Sequence, residues 1–134
     1  MSDLDALRAL AQRYSRAVDA RDIGALAELF DPAGTVVGAR GTAAVPDYLD
    51  TMRNAPRVFE QSMHVLGDPL IDFTEGADTA RLDTYAVVYQ LHRIAEPGGD
   101  MVLGIRYLDD VVRVDGSWRI HHRQAVMLWS RDRL

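Results

Sequence analysis

Gly104-Ile105-Arg106-Tyr107-Leu108-Asp109-Asp110-Val111-Val112-Arg113-Val114-Asp115-Gly116-Ser117-Trp118-Arg119-Ile120-His121-His122-Arg123 sets two β-prone runs on either side of an Asp-Gly pair. An Asp-Gly pair between such runs signals a tight hairpin, because both turn positions take positive φ and these residues tolerate it. Working outward, residues 57–74, 79–94, 101–114 and 117–129 are all rich in Val, Ile, Thr, Tyr and aromatics. The gaps Glu75-Gly76-Ala77-Asp78 and Glu96-Pro97-Gly98-Gly99-Asp100 are hairpin-sized, so the four segments are expected to be antiparallel neighbours. Gly67-Asp68-Pro69 reads as a bulge or bend within the first of them.

Upstream of the strands the apolar period changes. Leu4, Leu7, Leu10, Ala11, Tyr14, Ala17 and Val18 follow i, i+3, i+4, i+7 spacing, which predicts an amphipathic helix with Tyr14 on its buried face. Asp22 is placed to cap a second helix, 23–30, whose face is Ile23, Leu26, Ala27 and Phe30, and Asp31-Pro32-Ala33-Gly34 stops it as a turn. A short strand, 35–40, ends at Gly41. Pro46 then opens a third helix carrying Tyr48, Leu49 and Met52, and Asn54-Ala55-Pro56 closes it.

Helices first and strands afterwards is an α+β order. Long strands curl, and a curved antiparallel sheet wrapped over three N-terminal helices makes a cone-shaped half-barrel with one open mouth for a small ligand. At 134 residues, with no repeat or linker, the chain is expected to form a single domain over residues 1–134.

Composition narrows the function. A net charge of -5 and no run of basic residues argue against nucleic acid as a partner. With no cysteine, disulfides, thiolate metal sites and cysteine nucleophiles are excluded, and a reducing compartment suits the chain. All 15 basic residues are arginine, which excludes a Schiff-base lysine and a phosphate-loop lysine. Met1-Ser2-Asp3-Leu4-Asp5 is no signal sequence and no stretch is long enough to span a bilayer, so the expectation is a soluble cytoplasmic protein without a membrane partner. The four histidines lack metal-ligand spacing, His121 and His122 being adjacent on a strand, and no dinucleotide or nucleophile-elbow motif occurs. Neither metal nor cofactor is expected.

Two residues stand out. Asp19 follows the last apolar position of the first helix, where the helix dipole disfavours a carboxylate by ~0.3–1 kcal/mol. His64 sits in the apolar run Gln61-Ser62-Met63-His64-Val65-Leu66-Gly67. If the two meet in a pocket, the aspartate fixes the imidazole tautomer and leaves the other nitrogen as a base working near neutral pH. The plainer readings are a loop hydrogen bond or an Arg16 or Arg21 pair for Asp19, and a hydrogen-bonded core side chain for His64. Tyr14 is either core or a hydroxyl donor to a substrate oxygen, and Arg123 either binds a substrate oxyanion or forms a salt bridge with one of the 16 aspartates. Of the consecutive Asp109 and Asp110, one should face inward and need a partner such as Arg106 or Arg113.

Residues 14–22 with 26–30, and residues 104–110 with 114–123, resemble the SnoaL-like family of the nuclear transport factor 2-like superfamily over nearly the whole chain. The likeness implies the cone fold, and a branch that includes scytalone dehydratase, hexachlorocyclohexane dehydrochlorinase and bile-acid dehydratase. In that branch an aspartate matching Asp19 orients a histidine matching His64, which takes the proton in an elimination. Tyr14 and Arg123 match further catalytic positions. Tyr48, Tyr89 and Tyr107 are the candidate substrate-binding tyrosines. A second catalytic histidine of the scytalone enzyme is missing, Tyr89 or Gln90 falling nearest, and the aspartate base of ketosteroid isomerase would fall near Gly38.

The resemblance therefore implies a cofactor-independent lyase, a dehydratase acting on a hydrophobic cyclic or polyketide-like small molecule. The alternatives are an isomerase or aldol-type cyclase on the same fold, and a binding protein without turnover. Apolar Val87, Val111, Val112 and Leu128 cannot all face the helices, so a homodimer or higher homo-oligomer through the sheet is expected.

Overall fold

The computed structural model describes residues 1–95 and 99–132. They form α1 (Asp3–Asp19), α2 (Ile23–Glu28), β1 (Phe30–Gly38), β2 (Gly41–Ala44), α3 (Val45–Asn54), β3 (Phe59–Leu66), β4 (Leu70–Asp72), β5 (Thr79–Arg93), β6 (Met101–Val114) and β7 (Ser117–Arg131). The expected connection from Glu96 to Asp100 lies partly outside the described residues, at 96–98. The strands make one curved, unclosed seven-stranded sheet in the order β2-β1-β7-β6-β5-β3, with β4 on β5. This is the expected α+β cone, with one correction: β1 pairs with β7 in parallel, so the sheet is mixed.

α1 forms where its pattern predicts. Ser2 caps it through the amide of Asp5, and Leu7, Leu10, Ala11, Tyr14 and Ala17 turn inward. Its end is built with care. The amide of Asp22 reaches the carbonyl of Ala17 and that of Arg21 the carbonyl of Val18, a Schellman closure in which Arg21 takes φ 54°. A non-glycine residue there costs ~1–2 kcal/mol. The Arg21 guanidinium donates to the carbonyl of Ala55 at 2.8 Å, tying the end of α1 to the loop after α3. Asp19 is thereby fixed as the last residue of the helix.

α2 is shorter than expected. It ends at Glu28, and Phe30 already begins β1. The stretch Asp31-Pro32-Ala33-Gly34, expected as a free turn, is an irregular part of that strand, with a register shift between Phe30 and Thr35. The shift matches one in the neighbouring strand: Val111 pairs with Ile120 but Asp110 with His122, so His121 is an extra residue in β7. Gly34 permits the fit, since a Cβ there would lie 2.1 Å from the carbonyl oxygen of His121.

That bulge decides which side chains enter the cone. Trp118 and Ile120 point inward, and uninterrupted alternation would carry Arg123 outward. The extra residue reverses the phase, and Arg123 is buried at 2% exposure. The long hairpin turns as foreseen, with Asp115 at φ 50° and Gly116 at φ 83°. Gly67-Asp68-Pro69 does more than bend its strand, separating β3 from β4.

Candidate active site

β3 lies along β5 with His64 opposite Val88, which is 1% exposed, so His64 shares the inner face of the cone. Ser62, two residues earlier, shares that face by strand periodicity. The end of α1 meets this edge. Asp19 Oδ1 stands 2.6 Å from His64 Nδ1, Asp19 Oδ2 accepts from the backbone amide of His64 at 2.8 Å, and Ser62 Oγ donates to Oδ1 at 3.2 Å. Three donors thus hold a carboxylate against the unfavourable end of the helix dipole. A carboxylate accepting at Nδ1 requires the proton there, which leaves Nε2 of the neutral ring as an acceptor.

Both side chains line a cavity of about 350 Å³. Its wall is apolar at Val18, Ile23, Leu26, Met52, Val58 and Phe59, with Gln90 as a further polar side chain. Asp19 and His64 side chains are 18% and 8% exposed, so the pair sits in the wall rather than on open surface. A groove of about 830 Å³ between α1, α2 and the start of β7 is larger, but it holds no comparable acid/base pair.

Behind His64 lies an aromatic cluster. The Tyr14 ring meets the His64 ring edge-on at 6.2 Å, and meets Phe30 and Tyr107 at 6.3 and 5.6 Å. Arg123 packs into the corner that two of these rings make, its Cζ 3.9 Å from the Tyr14 centroid and 4.2 Å from that of Tyr107. Its edge makes a two-pronged bond to Asp109, at 2.7 and 2.9 Å. Burial opposes the charge of Arg123, but Asp109 more than offsets this and the guanidinium is held above its ordinary value. Nη1 of Arg123 and Oγ1 of Thr84 are buried without a hydrogen-bond partner among the described residues. Burial, then the charge and hydroxyl of Tyr14, push the Tyr48 phenol up; burial and Tyr14 act likewise on Tyr107, while Arg123 opposes both.

The expected site residues therefore separate into groups. Asp19 and His64 line the open cavity, whereas Tyr14, Tyr48, Tyr107 and Arg123 form the packed cluster behind it. Tyr89 is a correction. It alternates with Val88 and pairs with Met63, itself 50% exposed, on the outer face of the sheet, and Gln90 lines the cavity instead. Asp109 is the inward member of its pair, and its partner is Arg123, not Arg106 or Arg113. Those two bind Asp83, and Asp3 with Asp78. Asp110 pairs with Arg81 outside. Sequence reasoning passed over Ser62, although its two-residue spacing from His64 was the available signal. Among the described residues no group of His, Asp or Glu is arranged to hold a metal ion, and no helix is long and apolar enough to cross a membrane.

The Asp–His pair thus faces inward, in the wall of a cavity lined by both apolar and polar side chains, within an α+β cone. The model of the SnoaL-like domain family matches residues 1–124, and the chain belongs to that family. Among solved structures it is similar to a type 2 hexachlorocyclohexane dehydrochlorinase, at 20% identity over 97% of this chain and 92% of that one, with a TM-score of 0.83. A scytalone dehydratase candidate from Novosphingobium aromaticivorans is 23% identical over 100% and 93% of the two chains, with a TM-score of 0.80. A type 3 hexachlorocyclohexane dehydrochlorinase from Novosphingobium barchaimii is 21% identical over 97% and 93%, with a TM-score of 0.79. At such identities the likeness is one of fold. No curated protein matches the chain in sequence.

Proposed function

We propose that the chain is a cofactor-independent lyase, a dehydratase that removes water from a hydrophobic cyclic or polyketide-like hydroxy-carbonyl compound. Nε2 of His64 takes a proton from the carbon beside the carbonyl, and the C–H electron pair moves toward the carbonyl oxygen. As that charge returns, the bond to the β-hydroxyl breaks. The hydroxyl takes the proton from His64 and leaves as water, which restores the neutral imidazole. Asp19 keeps the ring in the productive tautomer and stabilises the imidazolium between the two steps. Tyr14 backs the imidazole edge-on from the cluster behind it, and the Arg123 charge on the face of its ring favours negative charge gathering on that side of the site.

One observation carries this reading: the 2.6 Å contact between His64 Nδ1 and Asp19 Oδ1 in the wall of a cavity of about 350 Å³. That the structural neighbours include proteins named for eliminations supports it further. A panel of lipophilic hydroxy-carbonyl compounds, screened by thermal shift and then by mass spectrometry for loss of water, finds the substrate. On it, His64→Gln and Asp19→Asn are each expected to lower kcat/KM by about 10²–10⁴-fold while the protein stays folded. Full turnover by the His64 variant contradicts the proposal.

A further inference from the structure

The cavity that holds His64 also carries three guanidinium groups, those of Arg21, Arg40 and Arg57. All three residues are solvent-exposed, whereas Asp19 and His64 are not, so the arginines form the rim and the dyad lies deeper. Arg8, Arg53, Arg81, Arg106, Arg113 and Arg123 each bind an aspartate. The three rim arginines make no ion pair among the described residues. Arg21 donates to the carbonyl of Ala55 at 2.8 Å, and Arg57 to those of Phe59 and Glu60 at 3.1 and 2.6 Å. Those bonds fix the groups in place and leave their charge uncompensated. Arg40, in the β1–β2 turn, makes no hydrogen bond among the described residues. Asp19 is the one carboxylate in the wall, so the lining sets three guanidinium groups against a single negative side chain.

In a chain of net charge -5, three guanidinium groups without an ion-pair partner around one opening, against one carboxylate deeper in the wall, are a concentrated positive field. Guanidinium forks match the paired oxygens of carboxylates and phosphates. We infer that the substrate is amphipathic: a carboxylate or phosphate stays at this rim, and the apolar body enters toward His64. The Asp19 charge at depth repels an anion, so the field also sets direction, anion outward and reacting carbonyl inward. This rests on the reading of the cavity as the place where His64 acts.

The test compares four probes that share a naphthalene body: 1-naphthaleneacetate, 1-naphthyl phosphate, 1-naphthaleneacetamide and 1-naphthylethylamine. Binding is measured by calorimetry, and its location by the ring resonances of His64. At least one anion is expected to bind about tenfold or more tightly than the amide at low salt, with the amine weakest, and the advantage is expected to shrink severalfold by ~0.5 M salt. Arg40→Gln and Arg57→Gln should each weaken the anions by about two- to fivefold and leave the amide unchanged. Equal binding of amide and both anions by the unmodified protein overturns the inference, as does anion binding that leaves His64 unperturbed. The two proposals fail separately. If the dyad variants abolish turnover while charge does not matter, only the rim inference is lost. If the anion preference holds while His64→Gln turns over normally, the rim stands and the dehydratase reading falls.

Discussion

A full positive charge closed off from water is tolerated at Arg123 because a carboxylate and two aromatic rings meet it. The rings of Tyr14 and Tyr107, set edge to face against each other, pack on it at 3.9 and 4.2 Å, and Asp109 takes one edge through two bonds. The side chains of the pair are 3% and 1% exposed, so removing one member strands the other in an apolar medium. Asp109→Ala is therefore expected to lower stability by about 3–5 kcal/mol in urea unfolding, whereas Asp110→Ala, at an exposed ion pair, should cost under about 1 kcal/mol. Two consecutive aspartates must face opposite ways on a strand, so the sequence made one of them buried. It did not say which, because strand alternation gives the two positions opposite faces without naming the inner one. Asp19 and His64 were legible from composition and position: a carboxylate at the wrong end of a helix and an imidazole in an apolar strand each asked for a partner. Arg123 read equally well as surface or site, since nothing in its neighbours reports burial.

At the scale of elements, the register between β1 and β7 shapes the site. Gly34 packs on the carbonyl of the extra residue His121, and the resulting change of phase turns Arg123 inward. Gly34→Ala is expected to destabilise by at least about 1–3 kcal/mol, and to alter near-ultraviolet circular dichroism as the cluster of Tyr14, Tyr107 and Arg123 loosens. Unchanged stability would mean the two strands do not approach as closely as described. This device was hidden in the sequence. Pro32 and Gly34 carry turn chemistry, and local reading assigned them to a turn, whereas tertiary contact with β7 made them part of a strand. Boundaries elsewhere were set by local signals and were legible: the Asp22 cap of α2, Pro46 in the first turn of α3 and the Asp115-Gly116 hairpin.

For the whole molecule, the cone was readable because helices and strands have different apolar periods and fall in separate halves of the chain. The parallel β1–β7 contact was not, since no short-range pattern reports which distant strands pair. The back of the sheet keeps Met63, Val65, Tyr85 and Trp129 between 42% and 61% exposed, with the Trp129 indole lying where a Cβ on Gly104 would be. An apolar surface of this kind suits a second copy, so a homodimer or larger homo-oligomer is expected by sedimentation at micromolar concentration, dissociated by Tyr85→Arg. A monomer would refute it. Charge networks near the ends of the sheet set the acid limit. Arg113 and Trp118 hold Asp3 below the ordinary aspartate value of 3.8, the Ala33 amide and His121 do so for Asp31, and Arg106 for Asp83. Such carboxyls bind fewer protons folded than unfolded, so their stabilisation is present above that ordinary value and drains away as pH falls through the lower, folded values. Thermal melts below pH 4 should lose stability less steeply for Asp83→Asn than for the unmodified chain. The central claim, that His64 exchanges a proton with carbon while Asp19 holds it, is tested most directly in deuterated water. With any hydroxy-carbonyl compound that binds the cavity, the protein should insert deuterium at the carbon beside the carbonyl, and His64→Gln and Asp19→Asn should reduce that exchange about 10²-fold or more. Exchange at the same rate in the His64 variant would contradict the account.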